Sequence, residues 1–154
     1  MAANPPQTSQ RLIPYLAYSD APAALAFLTR AFGFEEKFRF PMPDGRIGHA
    51  ELTLDGQVVL MLASVYPEMG FASPADLEGV PSQIYCRVDD VDAHYERARS
   101  AGATIAAEPR DESHGDRMYR AVDPEGHRWM FATHVKDVDH SDVKDVDHST
   151  LEPA

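Results

Sequence analysis

The chain of 154 residues has one cysteine, Cys86, which excludes an intramolecular disulfide and a thiolate metal cluster. Cys86 falls inside an apolar, strand-like pattern and not at a helix start, so it reads as a buried core thiol and not as a nucleophile. Basic residues are also scarce. Fourteen Lys and Arg stand against 25 Asp and Glu, a net charge of −11, and that balance repels phosphate backbones and anionic lipid headgroups. Neither a nucleic acid nor a membrane is an expected partner. No apolar run approaches the roughly 20 residues of a membrane span, and the opening MAANPPQTSQ has neither the basic start nor the apolar stretch of a signal peptide. The expected location is the cytoplasm. Phosphate-cradling glycine loops, nucleophile elbows and HExxH are missing too; Asp44-Gly45, Asp55-Gly56 and Glu125-Gly126 are turn signals.

What is present is 44% hydrophobic residues, enough for one domain with a real core. After a polar arm over residues 1 to 10, Leu12 to Tyr18 reads as a strand. Asp20 caps a helix over residues 20 to 32, Pro22 suits its first turn, Leu25, Leu28 and Phe32 share one face, and Gly33 stops it. Strands follow at Glu35 to Phe40, Ile47 to Leu54 and Val58 to Ala63. Residues 65 to 80, with three glycine or proline breaks before Gly79, have the composition of a linker.

The same grammar then restarts. Gln83 to Val88 reads as a strand, Asp89-Asp90 opens a helix with Val91, Tyr95 and Ala98 on one face, and strands are expected near residues 104 to 108, 117 to 122 and 128 to 133. Ser19-Asp20 maps onto Asp89-Asp90 and Asp55-Gly56 onto Glu125-Gly126, both at an offset of 70, which indicates an internal duplication. The expected organisation is a first βαβββ module over residues 11 to 64, a linker over 65 to 80, a second module over 81 to 135 and an acidic, flexible tail over 136 to 154. An eight-residue repeat, VKDVDHSD then VKDVDHST, spans Val135 to Thr150 without an apolar face.

A duplicated βαβββ unit, the segment Gly48, His49, Ala50, Glu51, Leu52, and the run from Asp123 through Pro124, Glu125, Gly126, His127 and Arg128 to Trp129 resemble the vicinal oxygen chelate superfamily, the glyoxalase, bleomycin resistance and dioxygenase proteins. The resemblance covers about residues 11 to 135. It implies an α+β fold in which two modules curl mixed sheets around a cavity, and a homodimer. Metal-dependent members place His, Gln or Glu on the first and last strands of each module. Carried onto this chain, those positions are Ile13, Met61, Gln83 and Met130. A hard divalent cation needs carboxylate, imidazole or carbonyl donors, and thioethers suit soft metals. No metal, and no other cofactor, is therefore expected.

Alternation along the third strand turns His49, Glu51 and Thr53 toward the cavity, with His49 and Glu51 about 6–7 Å apart. The expected ligand contacts are His49, Glu51, Met61, Gln83, Tyr85 and Met130, with Phe38, Phe40 and Tyr119 as further candidates, while Trp129 falls to the helix-facing core. No residue is assigned a catalytic role. The function implied is binding of a small organic ligand, planar or cationic, in the manner of drug-sequestering antibiotic-resistance proteins. The alternative is an enzyme of the same fold, a lyase, isomerase or dioxygenase-like protein, using His49 and Glu51 or a rearranged metal site that includes His127. An interaction module without a small ligand is a third possibility.

Overall fold

The computed structural model describes residues 9 to 139 and Ser141; the rest of the expected arm and tail lies outside the described residues. Two aspartates start the two helices. Asp20 accepts from Ala23 N (3.0 Å) to open α1 (Ala21–Phe32), and Asp90 accepts from Ala93 N (3.0 Å) to open α2 (Val91–Ser100). α1 buries Leu25, Leu28 and Phe32 as its spacing predicts, together with Ala21, Ala24, Phe27 and Ala31. It ends on Gly33, at φ 76, and its last carbonyls are taken by a neighbour: Arg97 of α2 donates to Thr29 O and Arg30 O, both at 3.0 Å.

The strands of the first module are β1 (Tyr15–Tyr18), β2 (Glu35–Pro41), β3 (Ile47–Leu54) and β4 (Gln57–Ser64). Those of the second are β5 (Ile84–Arg87), β6 (Thr104–Asp111), β7 (Asp116–Val122) and β8 (Arg128–His134). They form two four-stranded sheets, ordered β1-β4-β3-β2 and β5-β8-β7-β6, each with one parallel pair between its first and last strands. The duplication expected from the sequence is therefore a duplication of topology. β1 starts later than expected because Pro14 has no N–H to give the ladder, although its carbonyl accepts from Met61 N at 3.0 Å. The 65 to 80 segment is pinned as well as connecting: two short 3-10 turns, Pro67–Met69 and Pro74–Asp76, frame a buried Ser73 that donates to Glu125 Oε1 at 2.6 Å.

One face of each sheet packs on the helices. Leu16, Tyr18, Ala50, Leu52, Leu60 and Leu62 supply that face in the first sheet, and Tyr119, Ala121, Trp129 and Phe131 in the second; all belong to one core. Phe32 of α1 meets Trp129 and Phe131 at ring-centroid distances of 5.3 and 4.7 Å, so the modules share their packing. Fully burying a large apolar side chain contributes about 1.5–3 kcal/mol, which makes this shared aromatic cluster a principal tie. A polar tie runs alongside it. Asp123, 3% exposed, accepts from Tyr18 Oη (2.7 Å) and Trp129 Nε1 (3.2 Å), while its other oxygen holds the amides of Glu125 and His127 (both 3.1 Å).

Beyond β8 the chain turns back on the second sheet, where Val135 and Lys136 donate their amides to Gly115 O at 2.9 and 3.1 Å. Only glycine fits at position 115: φ is 97, and a Cβ would sit 2.1 Å from Lys136 O.

Candidate functional site

The opposite face of each sheet, away from the helices, forms a wall, and register fixes what stands on it. Across the first sheet, Tyr15 lies opposite Met61, Met61 opposite Glu51, and Glu51 opposite Phe38. Across the second, Tyr85 lies opposite Met130, Met130 opposite Arg120, and Arg120 opposite Ala107. The two rows correspond at offsets of 70 for the tyrosines and 69 for the rest. The duplication thus preserves the Tyr-Met pair and replaces Glu51 by Arg120.

On the first wall, His49 and Glu51 stand together as expected, and Tyr15 joins them. With the His49 ring protonated at Nε2, Tyr15 donates to His49 Nδ1 at 2.6 Å and His49 donates to Glu51 Oε1 at 3.3 Å. Glu51 Oε2 also lies 3.8 Å from Lys37 Nζ. Burial, then the charges of Tyr66 and Glu51, push the Tyr15 hydroxyl above its ordinary value, so it remains a neutral donor. Such a chain uses both of its protons internally, so it can present the Tyr15 oxygen to a ligand as an acceptor, or pass a proton along three groups. Phe38 and Phe40 stand opposite Glu51 and His49, with the Phe38 ring 6.3 Å from the imidazole. Tyr15, Phe38, Phe40 and Tyr85 are 43, 48, 56 and 40% exposed, an open apolar surface on both walls.

On the second wall, Tyr85 donates to Asp116, which is 2% exposed. His134 Nδ1 (2.9 Å) and Arg87 Nη2 (3.4 Å) close on the same carboxylate. The Tyr85 and His134 bonds, with the charge of Arg87, hold the Asp116 carboxyl below the usual carboxylate range, and burial followed by the bond to Asp116 pushes Tyr85 up to about 12.

Two placements correct the sequence expectation. Tyr119 is not on the wall: it is 0% exposed, stacks on Phe131 and donates to His94 Nδ1 of α2 at 2.7 Å. The residue that takes its place on the wall is Arg120, because β7 pairs with β8 one position out of the assumed phase. Ile13 and Gln83 precede β1 and β5, so Tyr15 and Tyr85, not Ile13 and Gln83, stand beside Met61 and Met130. Tyr15 lies 70 residues before Tyr85, so the duplication itself carries the signal for its place on the wall. Trp129 is core, 1% exposed, as its parity predicts. Cys86 is half-buried, and burial pushes its thiol up to about 11, which suits an inert thiol.

These positions do not fit a resident divalent metal. Two thioethers and two neutral phenols, or Ile13 and Gln83 in place of the phenols, are a poor donor set for a hard cation. His127 does not join His49 and Glu51, since its Nε2 donates to Ala17 O at 2.8 Å. Among the described residues no three His, Cys, Asp or Glu side chains come together in a way that would hold a metal.

The model of the Glyoxalase/Bleomycin resistance protein/Dioxygenase superfamily matches residues 11–131. The chain belongs to this superfamily. An uncharacterized protein of Mycobacterium bovis, Mb0911c, is 37% identical over 134 residues, 86% of this chain and 88% of that protein. The crystal structure of TioX from Micromonospora sp. ML1 is 33% identical, covers 80% of this chain and 98% of TioX, and superposes with a TM-score of 0.62. A fosfomycin resistance protein of Listeria monocytogenes, FosX, solved with Mn(II) and dihydroxypropylphosphonic acid, shares the fold at 19% identity and a TM-score of 0.59, over 80% of this chain and 89% of that one. Among the described residues, no helix of this superfamily member is long and apolar enough to cross a membrane.

Proposed function

We propose that the protein binds a small organic molecule on the two walls, without a divalent metal at the superfamily's usual position, and that a second copy completes the enclosure as a homodimer. The observation that carries this is the composition of the paired rows. Tyr15, Phe38, Phe40, Met61, Tyr85 and Met130 give a deformable apolar surface with a hydrogen-bonding relay at its centre, and the phenols and thioethers beside one another on the first and last strands are poor donors for a hard cation. Aromatic side chains left 40–56% exposed on a sheet face are an incomplete enclosure in one copy. Planar ligands match such a wall best.

A thermal-shift screen of drug-like and metabolite-like compounds tests this, run with and without a chelator. A bound compound at 100 times its Kd adds about 2.7 kcal/mol to stability, easily seen as a rise in Tm. The rise should survive chelation, shrink in Phe38→Ala and in His49→Ala, and accompany a dimeric mass in light scattering. Stabilisation that requires added Mn(II) would overturn metal independence, and an unchanged response in both variants would remove the walls as the site.

The relay supports a second reading, an enzyme doing acid–base chemistry through Tyr15, His49 and Glu51. Mass spectrometry of the bound compound decides between them. A product that disappears in His49→Ala establishes the enzyme; recovery of unaltered ligand establishes the binder.

A further inference from the structure

Among the described residues four arginines are half-buried: Arg46, Arg117, Arg120 and Arg128. The first two are neutralised, Arg46 by Asp44 at 2.8 Å and Arg117 by Asp92 and Asp111 at 3.0 and 3.2 Å. Arg120 and Arg128 have no carboxylate or carbonyl partner among the described residues. Both stand on the second wall, because Arg120 is opposite Met130 and Arg128 opposite Val122, which makes them diagonal neighbours flanking Met130. Diagonal residues on one sheet face lie roughly 7–8 Å apart, close enough for two like charges to repel. Two unneutralised cations set side by side on a half-buried face are unexpected in a chain with 25 acids to place beside them, and because no buried side-chain nitrogen among the described residues lacks a partner, both guanidiniums are open to a ligand. The nearby charges are already engaged. Arg87 is held by Asp116, and on the first wall Glu51 is held by His49 and Lys37.

We propose that Arg120 and Arg128 form an oxyanion clamp, so that the ligand is an organic anion, its carboxylate, sulfonate or phosphate-type head between the two guanidiniums and its planar apolar body on Met130 and the aromatic wall. This rests on the walls being the ligand site, and it names the ligand's charge. The local sign of the second wall is opposite to the net charge of −11, which by itself points to a cation. Guanidinium forks match planar oxyanions in geometry as well as in charge.

Two fluorescent probes with one skeleton test it: anilinonaphthalene sulfonate, an anion, and its uncharged parent phenylnaphthylamine. Wild-type protein should bind both. Arg120→Gln and Arg128→Gln should each weaken the sulfonate about tenfold or more, the loss expected for a charge-assisted hydrogen bond, and leave the uncharged probe within about twofold. Arg120→Lys, which keeps the charge, should recover part of the sulfonate affinity, and unchanged thermal melts show that the variants are folded. If both probes weaken alike, or neither changes, the clamp is wrong although the wall still binds. If wild-type protein binds neither probe, the walls are not a ligand site and the clamp falls with them.

Discussion

Replacing Asp123 separates architecture from ligand contact in the motif that carries the superfamily resemblance. Its carboxylate takes four donors: Tyr18 Oη and Trp129 Nε1 on one oxygen, the amides of Glu125 and His127 on the other. In Asp123→Asn the carbonyl oxygen must stay on the two turn amides, which cannot move, and the new amide NH2 then faces Tyr18 and Trp129. The Tyr18 hydroxyl can turn to accept, but the indole N–H cannot. The buried indole N–H is left unpaired and the Tyr18 proton loses its acceptor as well, a cost of about 1–3 kcal/mol or more. Asp123→Ala abandons all four. Water can reach the turn amides next to the exposed Pro124, but Tyr18 and Trp129 are sealed, and the expected loss is about 3–5 kcal/mol. For a domain near this size each kcal/mol moves Tm by roughly 3–6 °C, so the asparagine variant should melt about 5–15 °C low and the alanine variant about 10–25 °C low. Circular-dichroism melts and urea titrations at neutral pH measure this, with probe binding read at a temperature where both variants are folded. A double-mutant cycle with Trp129→Phe sharpens it: the indole substitution should cost less in the asparagine background than in wild type, because the unpaired donor is gone. Melting of Asp123→Asn within about 0.5 kcal/mol of wild type would refute the reasoning, as would lost binding at unchanged stability.

Two more outcomes follow from groups away from the wall. Tyr119→Phe strips His94 Nδ1 of its donor while His94 Nε2 still donates to Phe32 O at 2.9 Å, so it should cost about 1–3 kcal/mol in urea melts and leave ligand affinity unchanged. Two histidines should oppose each other in pH. Hydrogen bonds to Asp116 and Asp137 raise the pKa of His134 above the ordinary imidazole value, so its contribution is complete below about pH 6.5 and is lost as pH rises through the folded value. Burial lowers the pKa of His94, whose contribution is present above about pH 6.5 and lost as pH falls through its folded value. Urea midpoints at pH 6 and pH 8 should therefore shift in His134→Asn so that the alkaline decline shrinks; an identical decline in wild type and variant would remove His134 as its source.

The sequence by itself determined whatever depends on neighbours within a few residues. Asp20 and Asp90 announce helix starts because a cap is made to an amide three positions on, Gly33 announces a stop because a left-handed residue suits it, and the matched spacing of these signals exposes two modules. Met61, Met130 and Trp129 take the faces that period-two alternation implies, because β4 and β8 alternate between core and wall side chains. Tertiary structure decided the rest. Along β7 the run Met118, Tyr119, Arg120, Ala121, Val122 mixes apolar groups on both faces, and only pairing with β8 shows that Tyr119 is core and Arg120 is wall. The bond between Tyr15 and His49 spans 34 residues, and that Arg120 and Arg128 have no carboxylate or carbonyl partner among the described residues is a property of everything folded around them. Periodicity reports which way a side chain points relative to its own strand; what it meets there is set by strands far away in the chain, and in this protein that is where the chemistry lies.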